Sequence, residues 1–319
     1  MVAEMARRRR ARGVLGKRTG HLLGRTMLYV AVVVIALWSL FPFMYMASIS
    51  LMDTRDVVSA PPKWFPWPPN LKHWGRVFFA TEASGLSFGQ DDGGFSWLHR
   101  QAKIVPPSMG RSFVVALGTT VLNLIIGSFA AYGMARYPNF WFTDSALNLL
   151  MITRMLPGLA LLIPFFILYR VTGLLNTLHG LIIAYTSFIL PLTVWIMRGY
   201  FASIPRTLEW SAQVDGCNWF QAFWRIFLPV SAPGLMAAGI FTFLVAWNEF
   251  LFALILVPQE NVQTVTLTLS SLAYTGGNAL MDYPGLYVAG VMAVLPPVVI
   301  ALVFQRYLVR GLLAGSIKG

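Results

Sequence analysis

Long apolar stretches separated by shorter polar segments are the dominant pattern along this chain. A helix needs about 20 apolar residues to cross a bilayer, and six stretches satisfy this, at residues 27–50, 111–135, 146–169, 178–200, 233–257 and 285–307. The pattern predicts an all-α polytopic membrane protein with six transmembrane helices between residues 27 and 309. A retained first span is favoured over a cleaved signal peptide, because the apolar run is long and no A-x-A site follows it.

The distribution of basic residues predicts the orientation of these helices. Basic segments beside membrane spans stay in the cytoplasm, and the N-terminal tail at 1–26 contains RRRR at 7–10. We therefore expect both termini to be cytoplasmic, together with the tail at 310–319 and the segment at 201–232, which we call loop 4–5. The remaining connections are then extracytoplasmic, at 52–110, 170–177 and 258–284.

Composition agrees with a membrane location. Of the 319 residues, 57% are hydrophobic and 11% are charged, whereas soluble domains contain about 25% charged residues. The net charge of +12 raises the possibility of nucleic-acid binding. However, many of the basic residues flank the first span, where they set topology, so no nucleic-acid partner is expected. With a single cysteine, Cys217, the chain has no intrachain disulfide and no cysteine metal cluster.

The sequence lacks the common catalytic motifs. It contains no phosphate-binding loop, no H-E-x-x-H zinc motif and no G-x-S-x-G nucleophile elbow, and its four histidines are scattered. We therefore predict a non-catalytic protein with no catalytic residues and no metal site. Transport, a channel or ion-driven carrier, and a membrane scaffold for a cytoplasmic partner remain as function classes.

The first extracytoplasmic loop has two parts of different composition. The stretch PPKWFPWPPN at 61–70 is predicted to be extended and to lie at the membrane interface, where tryptophan partitions well. The stretch GLSFGQDDGGFSW at 85–97 is predicted to be a flexible acidic insertion, because it lacks the ligand spacing of a calcium-binding loop.

Loop 4–5 interrupts the apolar pattern with two short predicted helices. The first covers 206–214 and ends at Asp215-Gly216, since glycine adopts the left-handed conformation that a helix terminus needs. Asn218 is predicted to cap the second helix, with Gln221 as its capping-box partner. Aromatic residues between 219 and 227 give this helix a broad apolar face, which Pro229 and Pro233 are expected to end. These features fit either a docking element for a partner or an interfacial connector.

A resemblance separates these alternatives. Loop 4–5 resembles the EAA loop of the membrane subunits of ABC importers, through Ser211, Ala212, Asp215, Gly216, Ile226, Leu228 and Pro229. Cys217 stands where alanine is usual. The family glutamate falls on Trp210, and Glu209 lies one residue earlier, which is about 100° around the helix. The stretches AWNEFLFAL at 246–254 and FQRYLVRGLLAGSIKG at 304–319 are similar to MalG-type permease subunits of carbohydrate importers.

The resemblance implies a location, a function and a set of partners. The chain would lie in the bacterial plasma (inner) membrane and form half of a translocation path for a carbohydrate, with glycerol phosphate or an acidic saccharide as the alternative. Its partners would be a MalF-like second permease, a dimer of ATP-binding cassette ATPases and an extracytoplasmic solute-binding protein. ATP and Mg would bind to the ATPase, and no cofactor would bind to this chain. The C-terminal tail would extend toward the ATPase dimer.

Two sets of site residues follow. By resemblance, the ATPase-coupling set comprises Glu209, Ser211, Ala212, Asp215, Gly216, Cys217, Phe220, Phe223, Leu228 and Pro229. Polar residues inside spans are the default candidates for the substrate path, and Trp247 beside them offers a ring for stacking on a sugar or packing on a helix. This second set comprises Arg154, Trp247, Asn248 and Glu249. Their expected depths differ by about 10 Å, so no pair between Arg154 and Glu249 is expected within one subunit. Arg154 is expected either to pair with the partner permease or to face the cavity, where it would favour an acidic or hydroxyl-rich solute. Prolines are expected to kink spans three and four, at Pro157, Pro164 and Pro191.

Overall fold

The computed structural model describes residues 2–79, 95–137, 143–275 and 283–316. Every regular element within these ranges is a helix, so the prediction of an all-α fold is confirmed. The acidic insertion predicted at 85–97 lies largely outside the described residues, which resume at Phe95. The segment 61–70 forms no helix, as its prolines predict, and lies against the end of the first span, where the Ser48 hydroxyl donates to the Trp64 carbonyl at 2.8 Å.

Four helices are long and apolar enough to cross a membrane on their own. They lie within α1 (Val2–Ile49), α4 (Phe95–Arg136), α7 (Leu178–Ser203) and α14 (Tyr283–Ser316). Two further candidates are bent pairs, which bring the number of spans to six. Short helices α2 (Thr54–Val57) and α3 (Lys72–Phe79) follow the first span. By length and composition, the described residues therefore agree with six spans in number. The second bent pair, however, joins Ala232–Trp247 to Trp219–Val230, which the sequence assigned to loop 4–5.

The second span begins earlier than predicted. The sequence placed its start at about residue 111, where the long apolar stretch begins. Instead α4 runs through Pro106 and Pro107, and its candidate span begins at Ile104. Val105 and Ser108 are fully buried at this point, and Val105 packs in a cluster with residues of α14. Packing on both sides of the prolines thus outweighs the lost backbone hydrogen bonds.

The third span is broken by proline. Helices α5 (Thr143–Met155) and α6 (Gly158–Val171) meet at an angle of 97° across Leu156-Pro157. Proline lacks an amide hydrogen and disfavours a helical conformation in the residue before it. Pro157 accordingly adopts an extended conformation with ψ 124° and becomes the N-cap of α6. The two other prolines that were expected to kink spans, Pro164 and Pro191, lie within α6 and α7.

The fifth span is also broken, which the sequence did not predict. The predicted helix at 233–257 consists of α11 (Ala232–Trp247) and α12 (Leu251–Leu256), separated by Asn248, Glu249 and Phe250. After α12, a turn of 3-10 helix leads to α13 (Val265–Thr275). The break carries neither proline nor glycine, so it gives no breaker signal. It forms because polar side chains at 248 and 249 bond to the backbone in place of the helical ladder.

Helices α4, α7 and α11 pack against one another in the centre of the bundle. Small residues permit this close packing: a Cβ added to Gly127 of α4 would lie 2.9 Å from the Thr193 methyl of α7. The hydroxyls of Thr193 and Thr242 are 3.1 Å apart between α7 and α11. In α7, 56% of the most apolar stretch of 18 residues is buried, whereas none of the corresponding stretch in the first span is buried. The first span is therefore peripheral. It packs against α14, where a Cβ added to Gly290 would lie 3.2 Å from the Met46 sulfur.

Candidate functional site

Loop 4–5 begins with a helix that ends in a tightly defined turn. Helix α8 (Thr207–Val214) stops at Asp215, and Gly216 has a φ of +81°. The Cys217 amide donates to the Ala212 carbonyl at 2.9 Å, and the Gly216 amide donates to the Gln213 carbonyl at 3.0 Å. This pair of bonds is a Schellman motif, which satisfies the last carbonyls of the helix and requires a left-handed residue at Gly216. The predicted stop at Asp215-Gly216 is confirmed.

The second helix of the loop starts with the predicted capping box. The Gln221 amide donates to the Asn218 side chain at 2.8 Å, and the Gln221 side chain accepts from the Asn218 amide at 3.0 Å. Both bonds satisfy amide groups that a helix N-terminus leaves free. Only one residue, Cys217, separates the glycine of the first motif from this cap. The angle between the two helices is therefore set by the hydrogen bonds of these two adjoining motifs.

This second helix ends at Val230, between Pro229 and Pro233, the two prolines that were expected to end it. It consists of α9 (Trp219–Ala222), a π-helical segment at Phe223–Phe227 and α10 (Leu228–Val230). Proline clashes with the carbonyl four residues earlier in a regular α-helix. The wider π turn immediately before Pro229 relieves this clash, so the helix continues to Val230, and Ser231 is its C-cap. A bend of 76° at Ser231 then leads into α11.

The aromatic face of this helix packs largely against the chain's own bundle. Phe223 is 1% exposed, and its ring centroid lies 4.7 Å from that of Phe129 in α4. Phe227 is also buried, 5.0 Å from the ring of Tyr132. Phe220 stacks on Phe129 from outside and remains about half exposed. Phe223 and Phe227 therefore anchor loop 4–5 to the spans. This differs from the prediction for Phe223, which was expected to contact the ATPase.

The remaining residues of the predicted coupling set divide into an inner and an outer group. Ala212 is buried, and Cys217 and Leu228 are half-buried against the same cluster. Ser211, Asp215, Gly216 and Pro229 are exposed. Three large apolar residues outside the predicted set share this outer surface, at Trp210, Val214 and Trp219, of which Val214 is 86% exposed. We call Trp210, Ser211, Val214, Asp215 and Trp219 the outer face of loop 4–5.

Glu209 faces inward rather than outward. Its carboxylate Oε2 lies 3.5 Å from Nε of Arg136, the last residue of α4, and the Glu209 side chain is only 16% exposed. The distance makes this contact an ion pair without a hydrogen bond. Arg136 is not among the predicted site residues. Two features of the sequence could have indicated the pair. Arg136 directly follows an apolar span, and loop 4–5 contains Glu209, an acid that does not match the family glutamate.

The predicted substrate-path residues lie at the two broken spans. Arg154 is exposed in the last turn of α5, immediately before the break at Pro157. Asn248 is exposed, and its side chain donates to the Leu244 carbonyl at 2.8 Å. The Glu249 carboxylate accepts from the amides of Phe252 and Ala253 at 2.9 and 3.3 Å, so it caps α12. Among the described residues, no ion pair joins Arg154 to Glu249.

Trp247 belongs to the helix packing in this conformation. It is 3% exposed, its ring stacks on Phe243 with centroids 5.9 Å apart, and its Nε1 donates to the Ala293 carbonyl of α14 at 3.1 Å. The sequence allowed two roles for Trp247, stacking on a sugar or packing on a helix, and this geometry corresponds to packing on a helix. A contact with solute stays a prediction.

The two helices that follow the breaks adjoin each other. Helix α6 packs against α12, and a Cβ added to Gly158 would lie 3.9 Å from the Phe252 ring. The ring centroids of Phe165 and Phe252 are 5.7 Å apart. The hydroxyl of Tyr185 in α7 lies near the Glu249 carboxylate, outside ordinary hydrogen-bond geometry. The breaks of spans three and five thus form one region of the bundle, and within the described residues no cluster of His, Cys, Asp and Glu could hold a metal.

Comparisons with known proteins agree with the sequence resemblance. The chain is 31% identical over 296 residues to the sulfoquinovosyl glycerol transport system permease protein SmoH of Agrobacterium fabrum, covering 93% of this chain and 95% of the relative. It is 30% identical to the diacetylchitobiose uptake system permease protein DasC of Streptomyces coelicolor, over 93% and 99% of the two chains. It is 28% identical to the trehalose/maltose permease protein MalG of Thermococcus litoralis, over 94% and 99%.

A solved structure shows the same fold, and a family model gives the same assignment as the sequence resemblance. The crystal structure of a bacterial ABC transporter involved in import of the acidic polysaccharide alginate has a chain with the same fold, with a TM-score of 0.72, 22% identity and coverage of 91% and 98%. The family described as "binding-protein-dependent transport system inner membrane component" matches residues 123–313. The resemblance inferred from loop 4–5 and the C-terminal stretches is confirmed. The chain therefore belongs to the family of inner-membrane components of binding-protein-dependent transport systems.

Proposed function

We propose that this multi-pass inner-membrane protein is one of two permease subunits of an ATP-driven importer and forms half of the path for a carbohydrate. The observation that carries this proposal is similarity along nearly the whole chain to permeases for sulfoquinovosyl glycerol, diacetylchitobiose and trehalose or maltose. These solutes differ in size and linkage, but all contain sugar. The proposal therefore concerns the class of solute, which a solute-binding protein would deliver from the extracytoplasmic side.

The outer face of loop 4–5 is the proposed contact with the ATPase dimer. Trp210, Val214 and Trp219 expose large apolar side chains beside Asp215, and such a surface in a groove contributes several kcal/mol at about 25 cal/mol per Å² buried. The Schellman turn and the capping box keep the two helices at a fixed angle. Loop 4–5 would then move as a rigid unit when the ATPase closes on ATP and Mg, both of which are proposed to bind to the ATPase rather than to this chain.

The second permease subunit, a MalF-like chain, has a proposed surface on the periphery of the bundle. The most apolar part of the first span is unburied within this chain, and only 17% of the corresponding part of α14 is buried. A partner that completes the translocation path would cover part of these helices, and lipid would cover the rest. In the proposed topology both termini are cytoplasmic, on the same side as loop 4–5.

The region where the two broken spans meet is the proposed substrate path. Broken helices in transporters free backbone and polar groups to face a cavity, and this region brings exposed Asn248 to one break and exposed Arg154 to the other. Glu249, which caps α12, and Trp247, which packs against α14, would then support the helices that line the path. The exposed Arg154 guanidinium favours one variant of the proposal, in which the solute is an acidic saccharide or glycerol phosphate.

Reconstitution tests the function directly. The chain would be purified with the ATPase and second permease of the same genome and placed in proteoliposomes with the cognate binding protein. Uptake of a panel of radiolabelled sugars is expected to require both ATP and the binding protein. Uptake driven by an ion gradient without ATP would identify a carrier instead, and stable ATPase binding without uptake of any solute would identify a scaffold.

A charge reversal on the outer face tests the docking surface. Asp215→Lys is expected to abolish co-purification of the ATPase while the subunit remains in the membrane. The matched control is Asp56→Lys, because Asp56 is a partly exposed carboxylate after the first span, paired with Lys63 far from loop 4–5 in sequence. Equal ATPase recovery with both variants would place the contact elsewhere.

A further inference from the structure

Arg136 is a buried cation at the junction of three segments of the chain. It is the last residue of α4, is 7% exposed, and its side chain is enclosed where α7 ends and loop 4–5 begins. A charged group in such a place is costly unless it is paired and hydrogen-bonded. The partners of Arg136 therefore indicate what the residue holds together.

Each part of the guanidinium contacts a different segment. Its two terminal nitrogens both donate to the Ile204 carbonyl, the C-cap of α7, at 3.2 and 3.3 Å. Its Nε faces the Glu209 carboxylate of α8 at 3.5 Å. Its Cζ lies 4.2 Å from the centroid of the Phe227 ring, in the second helix of loop 4–5. A cation over an aromatic face is attracted to it, more strongly when the pair is shielded from water.

A second arginine, at the start of α8, contacts the main chain at the end of α4. Arg206, the N-cap of α8, extends its guanidinium toward the Arg136 carbonyl, with 3.5 Å between Nη2 and the oxygen. The end of α4 and the start of α8 are thus linked by side chains from both partners. Phe223 anchors loop 4–5 through packing alone, whereas Arg136 has directional contacts that fix where α8 lies relative to α4 and α7.

We propose that Arg136 is a positioning residue that clamps loop 4–5 to the second and fourth spans, so that displacement of the loop is transmitted to both spans. This inference rests on the proposed function, in which the ATPase displaces the outer face of loop 4–5. It also gives Glu209 a role: the acid that is out of register with the family pattern holds the loop from inside, through Arg136. Loss of the clamp would leave ATPase docking intact and would let the loop move without moving the spans.

The number of solute molecules imported per ATP hydrolysed tests the clamp. A variant that only reduces the amount of folded complex lowers import and hydrolysis together and leaves their ratio unchanged. For Arg136→Gln in the complete reconstituted complex we expect this ratio to fall at least about five-fold, the lower end of common coupling effects. For Glu209→Gln we expect a smaller fall of about two- to three-fold, since the Ile204 and Phe227 contacts remain. The matched control is Arg170→Gln, an exposed arginine in the last turn of α6, which should leave the ratio unchanged.

The outcomes separate this proposal from the proposed function. If the wild-type complex imports solute and both variants keep its ratio with the ATPase bound, the clamp is excluded and the importer stands. If the wild-type complex shows no ATP-dependent import, the proposed function fails and the clamp falls with it. Should Arg136→Gln not accumulate in the membrane, Glu209→Gln decides, because it leaves the buried guanidinium its other partners.

Discussion

Loop 4–5 and the break in the fifth span are both irregular segments between apolar helices, but they are built from contacts of different range. In loop 4–5 the bonds that set the backbone join residues at most five positions apart, as in the Cys217–Ala212 bond of the Schellman turn. At the break, the Glu249 carbonyl accepts from Thr266, 17 residues away, and Trp247 reaches Ala293, 46 residues away. Local turn chemistry therefore fixes the backbone of the first segment, whereas the second combines local side-chain bonds with bonds to distant parts of the bundle.

The largest effect is expected from Gly216→Pro in loop 4–5. Proline requires a φ near −65°, whereas Gly216 has +81° and donates its amide to Gln213. The turn between the two helices cannot form, so we expect transport to be abolished while the subunit still inserts. Uptake in proteoliposomes and the amount of subunit in the membrane measure the two effects. Substrate-stimulated ATP hydrolysis at the wild-type rate would contradict the prediction.

A milder change at the same residue separates the backbone conformation from steric effects. A Cβ would meet no atom within 4 Å at either Gly216 or Gly199. Of these two glycines, only Gly216 has a positive φ. We expect Gly216→Ala to destabilise the subunit by about 1–2 kcal/mol, the cost of a left-handed alanine. Gly199→Ala, inside α7, should be neutral or slightly stabilising. Thermal unfolding of the two purified variants in detergent measures the difference, and equal melting temperatures would show that the turn tolerates a side chain.

These two regions also differ in how far the sequence predicted them. The Asp215-Gly216 stop and the Asn218–Gln221 capping box were predicted correctly, because each motif is complete within a few residues. The break at Pro157 was indicated by proline, although its angle of 97° depends on what α6 packs against. The break at 248–250 was missed because its residues carry no breaker signal. The inward position of Phe223 was missed because periodicity defines an apolar face without indicating what covers it.

Removal of the Glu249 carboxylate should loosen the break in the fifth span. Glu249→Ala leaves the amides of Phe252 and Ala253 without their acceptor, and the loss of such a cap costs about 0.5–2 kcal/mol. Hydrogen exchange at 252 and 253 should accelerate by about two- to thirty-fold, since local opening becomes easier by that free energy. Asn248→Ala is the control: it removes one exposed side-chain bond to Leu244 and none to α12. Equal exchange in both variants would mean that packing alone holds α12.

The smallest effect is expected from Trp247→Phe, which tests the packing role of this residue. The substitution keeps an aromatic ring against Phe243 but removes the Nε1 bond to the Ala293 carbonyl. Because a single buried hydrogen bond contributes about 1 kcal/mol, the melting temperature should fall by a few degrees for a subunit of this size. The indole is 3% exposed, so the solute concentration for half-maximal uptake should not change. A several-fold rise in that concentration with unchanged stability would instead place Trp247 on the path.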